Sequence, residues 1–130
     1  MKDGYIQKPH NGKVRRWVQT MELRDNPALI AEYRKRHSQG QIWPEILQGI
    51  RDCGLYDMEI YILGTRLVMI CDGPEDLNWD EAMQKMAQGP RQAEWEAFMS
   101  TFQQCSKDER SDEKWHMRER MFHVYEEGEE

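Results

Sequence analysis

Alternation of apolar and polar residues predicts the strands of this chain. Arg15 to Glu22 concentrates aromatic and β-branched residues and is a first strand. Leu55 to Leu63 and Arg66 to Cys71 are rich in Ile, Tyr, Val and Met, and the intervening Gly64-Thr65 is typical of a hairpin turn. A last strand is expected from Glu119 to Tyr125. The pattern therefore contains two strands joined as a hairpin and one strand near each end.

Segments whose apolar residues have the spacing of α-helices lie between these strands. Asn26 is suited to cap a helix that has Pro27 at its first position. In that helix one stripe would face the sheet, and it carries Ile30, Tyr33 and His37. Further helical stretches are expected at Trp43 to Gly54, Asn78 to Gln88 and Pro90 to Phe102, with a polar loop from Cys105 to Lys114.

The order of these elements predicts an α+β domain of the ferredoxin-like βαββαβ class, with an antiparallel sheet covered on one face by helices. The expected last strand places large side chains on both of its faces: Met121, His123 and Tyr125 on one, Phe122 and Val124 on the other. Both faces of the sheet should therefore be covered, which fits a homodimer in which two sheets pack together.

Composition limits the partners. The 130 residues correspond to one domain at 15–125, preceded by a flexible N-terminal arm at 1–14 and followed by an acidic tail at 126–130. The net charge of −6 is concentrated in that tail and would repel a phosphate backbone, so nucleic acid is not an expected partner. No apolar run approaches the roughly 20 residues of a membrane span, and no membrane partner is expected.

The cysteines indicate the compartment. Cys53, Cys71 and Cys105 are odd in number, widely spaced, and part of no C-x-x-C or cysteine-histidine pattern. A reducing cytoplasm fits this usage, and a metal site is not expected.

The candidate chemistry lies at Tyr33 and His37. Their spacing of four places a phenol and an imidazole one turn apart on one helix face. An imidazole with a pKa of about 6.5 can accept or donate a proton at neutral pH, whereas a phenol with a pKa of about 10 stays neutral and orients a hydroxyl group. The alternative interpretation is a purely structural one, in which both side chains pack against the sheet.

The run Tyr33-Arg34-Lys35-Arg36-His37, followed by Ile42-Trp43-Pro44-Glu45, resembles the L-rhamnose mutarotase family, and the resemblance extends from about Arg15 to Tyr125. It implies a dimeric α+β barrel that interconverts the anomers of a 6-deoxy sugar without a cofactor.

The same resemblance implies the site residues. His37 would be the catalytic acid/base and Tyr33 a sugar-binding residue. Trp95 matches the second of two adjacent tryptophans that contact the sugar, while Glu94 stands in place of the first and Met58 in place of a sugar-contacting tyrosine. These departures change which hydroxyl groups can be paired, so L-fucose competes with L-rhamnose as the expected substrate.

Other readings remain open. Trp43 is expected to anchor the core rather than to touch a ligand, and Glu59 and Tyr61, which alternate with Met58, are expected at the dimer interface. A non-catalytic dimeric module that binds a small ligand, or a small oxygenase-type enzyme of the same fold, is the alternative function.

Overall fold

A computed structural model describes residues 2–105, 109 and 111–125, and the predicted acidic tail at 126–130 lies outside that range. The bounds of the strands and helices are β1 Val14–Glu22, α1 Pro27–Arg36, α2 Pro44–Asp52, β2 Asp57–Leu63, β3 Arg66–Pro74, α3 Trp79–Ala87, α4 Gln92–Met99, α5 Ser111–Lys114 and β4 His116–Met117. Up to α4, the strands and helices follow one another in the order that the sequence predicts. No helix in these ranges is long and apolar enough to cross a membrane.

The strands form one antiparallel sheet with the order β2-β3-β1-β4. β1 pairs with β3 along its whole length, and β2 pairs with β3 through a turn at Gly64-Thr65. Gly64 has a φ of 60°, a left-handed conformation that glycine adopts without steric cost. This order is the split βαβ arrangement, so the predicted ferredoxin-like α+β class is confirmed.

Local capping fixes where the helices begin and end. The Asn26 side chain accepts hydrogen bonds from the backbone N–H groups of Ala28 (3.0 Å) and Leu29 (3.2 Å), as expected for a cap in front of Pro27. α2 ends before Gly54, whose φ is 106°. A side chain there would also meet Leu77, because a Cβ atom would lie 2.9 Å from its Cδ1.

The core lies between the helices and the inner face of the sheet. Leu23, Leu67 and Cys71 are the largest fully buried side chains. Leu67 and Cys71 point inward from β3, and Met58 and Ile62 of β2 stand opposite them on the same face. The inner face of the sheet is therefore the floor on which the helices pack.

The last strand is not where the sequence placed it. β4 is His116–Met117, which pairs with Gln19 and Thr20 of β1, and the predicted strand at 119–125 makes no ladder within the described chain. Trp115, the residue directly before β4, is only 6% exposed, so the chain enters this strand from the core. The apolar side chains beyond it are exposed, namely Met121, Phe122, Val124 and Tyr125.

Two other segments differ in detail from the prediction. The expected loop from Cys105 to Lys114 ends in the short helix α5, while 106–108 and 110 lie outside the described residues. Residues 2–13 contain no helix or strand, as expected of an arm, but the Tyr5 ring meets the Tyr61 ring edge-on at 5.9 Å. The His10 ring stacks on Tyr56 at 4.7 Å, so the arm follows β2.

We expect Leu23→Ala to lower the free energy of unfolding by about 2–5 kcal/mol, because the truncated side chain leaves a cavity in a site with no solvent access. Urea denaturation at one fixed protein concentration measures the loss. Leu63→Ala is the matched control, since Leu63 is 84% exposed and its truncation should change stability by no more than about 0.5 kcal/mol. Equal losses in the two variants would contradict this placement of the core.

Candidate active site

A cavity of about 390 Å³ opens between the helices and the inner face of the sheet. Its size lies within the range of small-molecule sites in proteins. Much of its wall is apolar, from residues such as Ile46, Ile60, Met69, Met83 and Met99. The polar side chains that interrupt this wall include Gln19, Tyr33, His37, Gln92, Glu96, Gln103 and Lys114.

His37 caps the C-terminal end of α1, where the helix leaves carbonyl groups without helical partners. Its Nδ1 lies 2.9 Å from the Tyr33 carbonyl oxygen, which can only accept, so Nδ1 carries the hydrogen and Nε2 the lone pair. Burial lowers the pKa of the imidazole below 6.5, against a smaller raising effect of this hydrogen bond. His37 is therefore neutral at pH 7, with Nε2 able to accept a proton.

Tyr33 lies directly against the imidazole, with ring centroids 4.1 Å apart. The side chain is buried, and Gln103 Nε2 approaches its hydroxyl oxygen at 3.5 Å. Burial raises the pKa of Tyr33 to about 12. The phenol stays protonated at neutral pH, so it can hydrogen-bond to a ligand but cannot serve as a base.

Trp95 of α4 brings an indole to the other side of His37, at 5.7 Å between ring centroids and in an edge-to-face arrangement. Trp43 packs behind it, 5.0 Å from Trp95, and stacks on Phe98. The Arg91 guanidinium lies 4.0 Å from the centre of the Trp43 ring. Trp43 does not line the cavity and packs against the core, as the sequence predicts.

Met58 and Glu94 occupy different positions relative to the cavity. Met58 projects from the inner face of β2 and lines it. Glu94 is exposed on the outer side of α4 and binds Arg91 at 2.8 and 3.4 Å, an interaction that lowers the pKa of Glu94. Adjacent helix positions are rotated by about 100°, so a helix that turns Trp95 inward turns Glu94 away. The structure thus brings His37, Tyr33, Trp95 and Met58 together and leaves Glu94 outside.

The sequence reasoning missed several polar residues of the wall. Each is at most 7% exposed: Gln19, Gln92, Glu96, Gln103 and Lys114. A signal existed for Gln19, because period-two alternation places it with Met21 on the inner face of β1. Glu96 follows Trp95 on α4, but the sequence alone leads one to expect that a carboxylate in a short helix is exposed to water. Lys114 lies in a stretch that reads as a polar loop.

The described residues contain no group of three or more His, Cys, Asp or Glu side chains placed to hold a metal ion. The chemistry open to the cavity is that of its own groups: a nitrogen lone pair on His37, hydrogen-bond donors and acceptors, and an aromatic surface. Such a set can bind a small neutral polyol and move a proton on it.

Comparison with known proteins gives three relatives of known designation. An L-fucose mutarotase of Xanthomonas campestris pv. campestris is 33% identical over 109 residues, which cover 84% of this chain and 87% of that protein. An L-rhamnose mutarotase of Phocaeicola vulgatus is 30% identical over 83 residues, covering 63% and 75%. The crystal structure of an L-rhamnose mutarotase from Formosa agariphila, 22% identical, superposes with a TM-score of 0.62 over 85% of this chain and 99% of that one, which supports the fold.

The family profile described as L-rhamnose mutarotase matches residues 16–124, nearly the same span as the resemblance noted in the sequence. The match favours neither a non-catalytic binding module nor an oxygenase. The chain belongs to the L-rhamnose mutarotase family and is an isomerase of the mutarotase type.

Proposed function

We propose that the protein interconverts the α and β anomers of an L-6-deoxyhexose without a cofactor, and that His37 carries the proton. The observation that supports this role is the hydrogen bond between His37 Nδ1 and the Tyr33 carbonyl oxygen. It fixes a neutral tautomer whose Nε2 can take a proton, beside a Tyr33 phenol whose raised pKa keeps it protonated.

The reaction needs only proton movement. His37 Nε2 takes the proton of the anomeric hydroxyl group, the bond between C1 and the ring oxygen breaks, and the ring oxygen takes that proton back from the imidazolium, so that His37 ends neutral. The aldehyde that forms rotates about the C1–C2 bond, and the same steps in reverse close the ring on its other face. Each assisted proton transfer contributes about 10²–10⁴-fold to the rate.

The other predicted residues hold the sugar in this scheme. The Tyr33 hydroxyl group hydrogen-bonds to a sugar oxygen, and the Trp95 indole supplies an apolar surface for the C–H face of the ring. Met58 adds apolar wall from the sheet side. Glu94, directed at Arg91 and away from the cavity, takes no part in binding.

We propose L-fucose as the preferred sugar. L-fucose and L-rhamnose differ in configuration at C2 and C4, so different wall groups must pair their hydroxyls. The relative named L-fucose mutarotase matches this chain over 84% of its length, against 63% for the relative from Phocaeicola vulgatus named L-rhamnose mutarotase. Met58, which lines the cavity where the family pattern has a tyrosine, supports the same preference.

We also propose that the protein works as a homodimer. The sheet face opposite the cavity carries Val18, Tyr61, Val68 and Ile70, with no helix of the described chain over it. Phe122, 75% exposed, belongs to the apolar segment at 119–125 that makes no ladder within the chain. A second copy would cover this face and segment together, with Glu59 beside Tyr61 at the interface.

The proposed setting is a single mutarotase domain at 15–125, with an arm at 1–14 and a tail at 126–130, serving carbohydrate metabolism in the cytoplasm. Cys53 and Cys71 are buried free thiols, and burial raises the pKa of both, which disfavours their reactive thiolate form. Such cysteines fit a reducing compartment.

His37→Ala should remove most of the catalysed anomer exchange and keep the fold, because the neutral imidazole is the proton carrier. NMR saturation transfer between the α and β anomeric protons measures the rate for L-fucose and L-rhamnose, with uncatalysed exchange subtracted. His116→Ala is the matched control, since His116 is exposed on β4 and should retain the parent rate. A folded His37→Ala protein with the parent rate would refute the role of His37.

The catalysed exchange should not fall between pH 8 and 7, and it should drop to half of its high-pH rate only at a pH below 6.5. Burial lowers the pKa of His37, so the imidazole stays neutral, and able to accept a proton, to a pH below its ordinary value. The same saturation-transfer rates at subsaturating sugar give the profile. A rate that instead falls as the pH rises from 6 to 8 would mean that the protonated imidazole is the active form.

Ile70→Lys should convert a dimer of twice 15.6 kDa into monomers, because a charge would be buried between two sheets. Light scattering after size exclusion measures the mass. Gln84→Lys, on the exposed side of α3, is the control and should remain dimeric. A parent protein that runs as a monomer at micromolar concentration would overturn the proposed assembly.

A further inference from the structure

Lys114 is a charged side chain in an unexpected place. It is the last residue of α5, only 4% exposed, and lines the cavity together with Trp95 and His37. Burial lowers the pKa of its ammonium group, although the carboxylate of Glu96 is among the charges that act in the opposite direction. A lysine buried this far is uncommon in proteins unless it is paired or serves a ligand.

The position of the ammonium group is fixed by α4. Lys114 Nζ donates to the backbone carbonyl oxygen of Glu96 at 2.8 Å, and the same carbonyl accepts the helical hydrogen bond of the Ser100 N–H at 2.9 Å. An ammonium group has three N–H donors, and the Glu96 carbonyl takes one. α4 thus carries the Trp95 indole, and the backbone carbonyl of the next residue, Glu96, holds Lys114 at the cavity wall.

The surroundings of Lys114 suit a polyol. Glu96, Gln92 and Gln103 line the same cavity and are 3–7% exposed, so the wall offers amides and a carboxylate as well as the ammonium group. A sugar hydroxyl can accept from an ammonium group and at the same time donate to an oxygen. None of the groups named here takes part in the proton transfers at His37.

We propose that Lys114, held by α4 beside Glu96, is a specificity-determining residue that donates a hydrogen bond to one ring hydroxyl of the bound sugar. This inference rests on the proposed function, since it concerns the substrate of the same cavity. A buried group that is built to hydrogen-bond a hydroxyl rejects sugars that lack it, because the group is then left without its partner. Lys114 therefore decides which deoxy sugars are turned over, while the proton chemistry stays with His37.

The test compares Lys114→Met with the parent on L-fucose and its 2-, 3- and 4-deoxy derivatives, by saturation transfer over a range of sugar concentrations. Methionine keeps an apolar stem of similar length without the donors. Lys114→Met should raise KM for L-fucose about 10- to 100-fold, the worth of a hydrogen bond to a charged group, with kcat within about twofold. It should leave the efficiency unchanged for the one deoxy sugar that lacks the hydroxyl bound by Lys114.

Controls separate this role from packing. Lys85→Met, at an exposed position on α3, should match the parent on all four sugars. Thermal denaturation checks that Lys114→Met is folded, and Lys114→Gln, which keeps an amide donor, should show a smaller rise in KM. Should Lys114→Met not fold, the same four-sugar comparison is made on Lys114→Gln.

Three results would overturn the inference. An equal loss on all four sugars would make Lys114 a packing residue. A loss in kcat at unchanged KM would place it in the proton chemistry. No catalysed exchange by the parent protein on any sugar would overturn the proposed function as well, whereas exchange with unaltered selectivity in the variant overturns the role of Lys114 alone.

Discussion

The end of α1 fixes how the His37 ring lies in the wall of the cavity. The carbonyl oxygen of Tyr33 accepts two hydrogen bonds from His37, one from its backbone N–H at 3.2 Å and one from its ring Nδ1 at 2.9 Å. The bond from Nδ1 orients the imidazole and selects its tautomer. The same helical turn places the Tyr33 and His37 rings in contact, so a four-residue spacing supplies both members of the pair.

The imidazole also depends on packing between helices. Trp95 meets His37 from α4, and Trp43 at the start of α2 supports Trp95 from behind. Arg91 joins the two helices: it lies over the Trp43 ring and binds both Glu45 of α2 and Glu94 of α4. Arg91 does this with a φ of 62°, a conformation unfavourable for a residue with a side chain, which the surrounding contacts must hold in place.

The parts of the fold that local sequence determines were predictable. Asn26 caps α1, the turn at Gly64-Thr65 joins β2 to β3, and the spacing of Tyr33 and His37 puts both rings on one face; each depends on residues within a few positions. The last strand was not predictable from alternation alone. β4 begins directly after the buried Trp115, and the apolar residues at 119–125 have a strand-like pattern without a partner strand inside the described chain.

The same distinction separates the predicted from the missed site residues. Tyr33, His37 and Trp95 match a family pattern, and Met58 stands at one of its positions. By contrast, Gln19, Gln103 and Lys114 are buried through tertiary packing of polar residues that ordinarily face water. Glu94 is the opposite case: the motif predicted it as a site residue, but α4 turns its side chain away from the cavity. A motif identifies a position, and the helix rotation decides whether that position reaches the cavity.

The polar wall has a consequence for how tightly a sugar can bind. Among the described residues, every fully buried side-chain nitrogen or oxygen has a hydrogen-bond partner. A sugar would exchange its bonds to water for bonds to the groups that face the cavity, among them the Lys114 ammonium group, of whose three donors the Glu96 carbonyl takes one. The net gain per hydroxyl is small, about 0.5–1.5 kcal/mol for a neutral partner and about 1.5–3 kcal/mol for a charged one, whereas a hydroxyl in the wrong configuration loses its water and gains nothing. The proposed sugar site would therefore discriminate by configuration, which suits an enzyme that must release both anomers.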